Sequence, residues 1–161
     1  MKIEEKYFKE YHSLAVVPHY DGEHASVIHT LQGNFYSKYT TNANLDNYCL
    51  LFGSSLEGRK QAARQRFNDV KNPSILISEA LRIAGFQVPH LDRLDPMWIV
   101  DLDVTIEALS KTETLIIFRN GLQLMTPLAE NSVKNRRFNA ISRIHECSPL
   151  LNRNLHDLLH Y

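Results

Sequence analysis

The chain has no surplus of either charge: 18 Lys and Arg stand against 18 Asp and Glu, for a formal net charge of zero over 161 residues. Proteins that hold nucleic acid by bulk electrostatics are usually basic overall, so any such role must rest on where the charges sit. Cysteine is scarce. Two residues, Cys49 and Cys147, fit a reducing cytoplasm better than a disulfide scaffold. No apolar run approaches the roughly 18 residues of a membrane span, so no membrane partner is expected. The opening segment MKIEEKYFKEYH carries acids and no apolar core, which argues against a secretory signal. No low-complexity tract and no repeat stands out. Nucleophile-elbow, HExxH and GxGxxG patterns are missing; neither an enzyme nor a cofactor is expected.

What is present is ordinary globular composition, 43% hydrophobic and 22% charged, in a length that suits one domain over residues 1–161. The charges are segregated. Arg59, Lys60, Arg64, Arg66 and Lys71 surround a single acid, Asp69. Lys134, Arg136, Arg137 and Arg143 lie in a stretch with no acid, and the acids gather from Asp92 to Glu107. Such a distribution favours one positive face.

The chain is organised around Asn47 to Phe67, NYCLLFGSSLEGRKQAARQRF. Tyr48 to Phe52 reads as an apolar strand that breaks at Gly53. Ser54 and Glu57 have capping-box spacing, and a helix carrying Arg59, Lys60, Arg64 and Arg66 follows. A strand turning through Gly and Ser into a helix start makes an anion site, because unpaired N–H groups and the helix dipole face outward there. A nucleotide P-loop does not fit: after Gly53 and Gly58 it requires Lys then Ser or Thr, and the chain has Arg59, Lys60 and Gln61. The alternative is a capped amphipathic helix with a solvated basic face.

In chain order, strands are expected at Tyr11–Val17, Ala25–Leu31 and Phe35–Tyr39, then a loop over Thr40–Asn47. Pro73 ends the basic helix. Ile75–Ile77 is a short strand, Glu79–Ile83 is undecided, and Gly85 and Pro89 close that segment. Trp98 to Glu107 alternates with period 2 and reads as one long strand. Thr114 to Met125 reads as a hairpin with Asn120-Gly121 as a two-residue turn, placing Leu115 and Ile117 with Leu122 and Leu124. Ser132 caps a helix to about His145, and Pro149 separates it from a last helix, Leu150–His160. The expected class is α+β: a mainly antiparallel β-sheet with an inserted basic helix and C-terminal helices.

In the helix from Val133 to His145, Arg136, Asn139 and Arg143 share a face, and Lys134 and Arg137 lie beside it. A solvated polar face, a DNA-contacting face and a docking face for an acidic protein all fit this pattern. Other constellations are weaker. Asp101, Asp103 and Glu107 on one strand face suggest a magnesium site, or a wet edge whose charges discourage sheet pairing. His156 and His160, and His145 with Cys147, form no recognised zinc pattern. Cys49 is expected to be a packing residue. Phe67, Trp98 and Tyr36 are candidate base-stacking platforms, with core packing preferred for Trp98.

FGSSLEGRK, preceded by Cys49, resembles the signature of the ComK competence transcription factors of low-GC Gram-positive bacteria. PSILIS (residues 73–78), Trp98 at a strand start, and TLIIFRNGLQLMTPLAENS (residues 114–132) are similar to later family segments in the same order, from Asp21 to Ile144 overall. The resemblance implies a cytoplasmic, nucleoid-associated activator that binds pairs of A·T-rich boxes in double-stranded DNA through phosphate and minor-groove contacts, as a homo-oligomer. It implies a phosphate grip of Ser54, Ser55, Gly58, Arg59 and Lys60, extended by Arg64 and Arg66. Arg59, then Arg136 or Arg143, would enter a groove. The family's C-terminal Phe-Met-Leu-Tyr-Pro motif, through which an adaptor delivers members to the Clp protease, has no counterpart in LLNRNLHDLLHY. A Clp protease adaptor is therefore an open partner, and residues 147–161 are expected to be a diverged helix. Its leucines, Leu150, Leu151, Leu155, Leu158 and Leu159, would pack on the core or on a second copy. Two other functions compete: an interaction module that pairs with a relative without touching DNA, and a metal-dependent phosphoryl-transfer enzyme built on Asp101 and Asp103.

Overall fold

A computed structural model of the chain describes the backbone of residues 10–159 and the side chains of residues 10–146. The elements within it are β1 (Ser13–Pro18), β2 (Ser26–Thr30), β3 (Gly33–Ser37), α1 (Thr41–Leu51), α2 (Leu56–Phe67), β4 (Ile75–Ser78), β5 (Ile83–Val88), β6 (Met97–Ile99), β7 (Thr105–Ala108), β8 (Thr114–Ile117), β9 (Gln123–Thr126) and α3 (Glu130–Leu159). Two antiparallel sheets result: six strands in the order β3-β2-β1-β6-β5-β4 and three in the order β7-β8-β9. With its helices this is the expected α+β class.

The large sheet is apolar on both faces, because successive side chains of a strand point to opposite sides. Val16, Ile28, Ile75, Ile77 and Trp98 face Leu45, Tyr48 and Cys49 of α1 and Leu56 of α2. Ala15, Val17, Leu76, Phe86, Val88 and Ile99 face the other way, onto Ile116, Phe118 and the α3 residues Val133 and Ala140. The molecule is therefore layered: a helix pair, the six-stranded sheet, then the small sheet with α3. Trp98 is fully buried under α1, and its indole N–H donates to Asn42 Oδ1 at 2.9 Å. Removal of a side chain this size from water contributes roughly 1.5–3 kcal/mol or more.

Several expectations are corrected. Residues 41–51 form a helix, not a loop followed by a strand. Thr40 caps it, accepting from the Ala43 N–H at 3.2 Å, and its buried residues Thr41, Asn44, Leu45, Tyr48 and Cys49 recur at helical spacing. Leu50, inside the supposed strand, is 56% exposed. Trp98 to Glu107 is two strands in different sheets. Trp98 and Val100 pack on the helix-pair side of the large sheet, whereas Leu102, Val104 and Ile106 pack in the other core with Ile99 and Ile116. The alternation runs on although the chain changes sheet and core, and it hides the break. Strand β5 runs straight through Gly85, which had read as a breaker. A Cβ there would stand 3.2 Å from the Ile99 carbonyl oxygen on the neighbouring strand, so glycine serves close strand packing.

The β8–β9 hairpin turns over three residues rather than two. The Phe118 N–H donates to Leu122 O at 2.8 Å, the Gly121 N–H returns to Phe118 O at 3.0 Å, and Gly121 has φ of 89°. This is the glycine-bulge loop that follows a turn with a left-handed residue. The extra residue shifts the register, pairing Ile116 with Leu124 and Leu115 with Met125. Helix α3 starts at Glu130, before Ser132, and its backbone continues through Pro149 to Leu159 as one element. The expectations for Cys147, the leucines from Leu150 onward, His156 and His160 concern side chains outside the described residues.

Candidate nucleic-acid interface

Helices α1 and α2 are joined by the short turn Phe52–Ser55 and lie on one face of the large sheet. Gly53 ends α1 with φ of 92°, a left-handed conformation that glycine adopts without steric cost. The cap of α2 is Ser55, one residue later than expected: its hydroxyl accepts the Gly58 N–H at 2.9 Å. Gly58 thus holds the third helical position, where a capping box needs a carboxylate, and Glu57 instead sits 3.4 Å from Arg64. Asp46 of α1 accepts the Leu56 N–H at 2.8 Å. A carboxylate of the protein itself therefore takes the position at the helix start where the sequence had suggested a phosphate.

Of the twelve residues of α2, Leu56 and Ala63 are buried. Arg59 is directed inward, its side chain 14% exposed. Its guanidinium donates to Phe52 O at 3.3 Å and to Ile77 O at 3.5 Å, and lies 3.5 Å from Glu79. It fastens the α1–α2 turn to the β4–β5 turn across a cleft lined by Phe52, Gly53, Ser54 and Ser78. Lys60 Nζ lies 5.9 Å from the centre of the Trp98 ring, at the limit of cation–π attraction. Arg64 donates to Val70 O at 3.3 Å and pairs with Glu57. Arg66 is exposed, with Gln61 and Gln65 on the outer surface of the helix.

The second basic cluster does not join the first on one open face. Lys134 pairs with Glu130. Arg136 donates to Gln87 O at 2.8 Å, and burial pushes its pKa down from the ordinary guanidinium value. Arg137 donates to Leu102 O at 2.7 Å. Arg143 is 4% exposed and pairs with Asp69 at 2.9 Å. Asn139 is half-buried, and Phe138 is an exposed large hydrophobic residue of this stretch. Arg136, Arg137 and Arg143 are thus engaged by the chain's own carbonyls and a carboxylate, and brace α3 against the sheet.

The aromatic candidates separate as well. Trp98 is in the core. Phe67 lies against Arg143, 4.1 Å from its ring centre, and Arg66 at 5.3 Å. Tyr36 of β3, the edge strand of the large sheet opposite β4, is exposed beside His19 and His24 of the β1–β2 turn. Asp101 is buried and held by Arg119 through two bonds of 2.9 and 2.8 Å, with Asp103 at 3.6 Å from the same guanidinium. Both Asp101 oxygens are thus engaged, and Glu107 stands on β7 of the small sheet, whereas Asp101 and Asp103 lie in the connection before it. Among the described residues no group of His, Cys, Asp and Glu is placed to hold a metal, and no helix is long and apolar enough to cross a membrane.

The model of the family described as ComK protein matches residues 4–148. The chain belongs to the ComK family. No curated protein and no solved structure matches it. ComK proteins are competence transcription factors, so the chain's class is transcription regulation.

The ComK signature segment FGSSLEGRK has a local structural account. Gly53 ends α1, Ser55 caps α2, Gly58 leaves room for the serine hydroxyls, and Arg59 pins the turn. A Cβ on Gly58 would stand 2.9 Å from Ser54 Oγ and 3.1 Å from Ser55 Oγ. Sequence reasoning missed Asp46, which holds the start of α2, Asp69, which holds the segment after it, and Arg119, which holds Asp101 in another part of the fold. The signal for Asp46 was the helical spacing of Leu45, Tyr48 and Cys49; Asp69 and Arg119 act over long sequence separations that no local pattern carries.

Proposed function

We propose that this ComK-family chain activates transcription by binding double-stranded, A·T-rich promoter DNA with the outer surface of α2, as a cytoplasmic homo-oligomer. One observation carries the reading. Helix α2 buries only Leu56 and Ala63, and its remaining surface is polar and basic. A helix that buries so little of itself leaves its charged side open to solvent, where the phosphates of a duplex can be met by lysine and arginine. Lys60, Arg64 and Arg66, with the Ser54 hydroxyl, make the phosphate contacts. Ser55, Gly58 and Arg59 act indirectly, by shaping the turn. Arg66, the exposed arginine of the helix, takes the groove role given to Arg59 on sequence grounds. Narrow A-tract minor grooves concentrate negative potential and draw arginine in, while phosphate contacts fix register.

The test is a gel shift on A·T-box and G·C-rich duplexes at two salt concentrations, with and without magnesium. Lys60→Ala and Arg66→Ala should each weaken binding and flatten the dependence of log K on log salt by about 0.9 per lost phosphate contact. Arg59→Ala should chiefly lower stability. An unchanged salt slope in the Lys60 and Arg66 variants would reject α2 as the contact surface. Absence of any shift would favour the interaction-module reading, which the zero net charge and the internal pairing of Arg59 and Arg64 support. Its partner would be a related chain.

A further inference from the structure

We infer that Arg143 is a positioning residue for α2, joining the two faces of the large sheet around its β4 edge. The inference rests on α2 being the DNA-contacting helix. The contacts that define the join are specific. Helix α2 lies on one face of the sheet and α3 on the other, and β4 is the edge strand between them. The chain rounds that edge in the segment after Phe67, where Asn68 and Asn72 adopt left-handed φ values of 56° and 45°. Those are conformations that asparagine tolerates but that need outside support.

The support comes from one carboxylate. Asp69 Oδ2 accepts the Ser74 N–H at 2.9 Å and the Arg143 guanidinium at 2.9 Å. The same guanidinium lies 4.1 Å from the centre of the Phe67 ring, the last residue of α2. Ser74 Oγ donates to the Arg136 carbonyl at 2.7 Å, a second tie from the loop to α3. Arginine is suited to this place because its planar head stacks on a ring while its edge donates to a carboxylate; lysine supplies a point charge and does neither in one geometry. A buried pair of this kind defines an arrangement more than it stabilises a fold. The arrangement defined is the direction in which the C-terminal half of α2, with Arg64 and Arg66, faces solvent.

Three variants test this: Asp69→Asn, Arg143→Lys and Arg143→Gln. Each is checked for folding by circular dichroism, then measured for affinity to an A·T-box duplex at several salt concentrations and for amide hydrogen exchange. If Arg143 positions α2, Asp69→Asn weakens binding roughly tenfold, although removing an acid near DNA should otherwise tighten it. Arg143→Lys weakens binding despite keeping its charge. The salt slope stays at the wild-type value, since no phosphate contact is lost, and α2 amides exchange faster while those of β1 do not. Tighter or unchanged binding by Asp69→Asn, or a salt slope reduced in Arg143→Gln but kept in Arg143→Lys, would make Arg143 a contact residue and overturn the inference. If the wild-type chain does not shift the duplex, the DNA reading fails alone; exchange at α2 then decides the clasp, and unchanged α2 exchange in all folded variants rejects it.

Discussion

Replacing Gly58 by alanine sets intrinsic helix preference against local packing, and the two disagree in sign. In a helix interior alanine is favoured over glycine by about 0.8–1.0 kcal/mol. The added Cβ would meet Ser54 Oγ at 2.9 Å and Ser55 Oγ at 3.1 Å. Ser55 Oγ is the cap of α2 and cannot retreat without lengthening its 2.9 Å bond to the Gly58 N–H. Loss of a serine cap costs about 1 kcal/mol, and displacing Ser54 from its rotamer adds about 0.5–1.5 kcal/mol. The balance is a net destabilisation of roughly 0.5–1.5 kcal/mol. Urea unfolding followed by circular dichroism measures it, in the wild-type background and in Ser54→Ala/Ser55→Ala. Without the two hydroxyls the clash disappears, and the same Gly58→Ala change should become stabilising by up to about 1 kcal/mol. A stabilising effect in the wild-type background, or equal effects in both, would refute the claim that the serine hydroxyls dictate glycine at this position.

Two further outcomes are expected. Arg119→Met leaves the Asp101 carboxylate, itself 5% exposed, without its two-bond partner. Because the Arg119 side chain is 41% exposed, water replaces part of the interaction, and the loss should be about 1–3 kcal/mol in urea unfolding. Adding Asp101→Asn should recover part of it. Burial pushes the Cys49 thiol pKa up to about 12, so the folded state disfavours the thiolate. Stability linked to this group is therefore intact at neutral pH and declines as pH rises past the ordinary thiol range near 8.5. In a Cys147→Ser background, Cys49 should not react with a disulfide reagent at pH 8 until the protein is unfolded; prompt reaction would mean that the seam between α1 and the sheet opens in the native state.

The α+β class and most strand positions were legible because their signals are local. Val16 between Ala15 and Val17, or Ile116 between flanking Leu115 and Ile117, announces a strand in the residues themselves. The two larger misreadings share a cause. Tyr48 to Phe52 is too short an apolar run to distinguish a buried strand from one side of a helix, and only Thr40, Leu45 and Cys49 taken together give the helical period. The run from Trp98 to Ile106 keeps its alternation while the chain passes from one sheet to another, although Trp98 and Val100 pack in one core and Leu102, Val104 and Ile106 in the other, so the period alone carries no sign of the break. At the candidate interface, residue types were right in kind: the serines, glycines and arginines of residues 53–66 do build a turn and a basic helix. What the sequence could not supply was which arginines point outward. Arg59, Arg136, Arg137 and Arg143 find partners in carbonyls and two carboxylates, most of them far away in the chain, and long-range partners leave no local trace.

The central strand β1 is bordered by β2, its immediate successor, and by β6, through Ala15 with Ile99 and Val16 with Trp98. During synthesis, at roughly 5–20 residues per second, the amino-terminal hairpin must therefore wait several seconds with one flank of β1 unmatched. Pairings so distant along the chain are also the slow ones in refolding. A nascent chain halted before Met97 would leave that flank of β1, with Ala15 and Val16, without the strand that covers it in the native sheet.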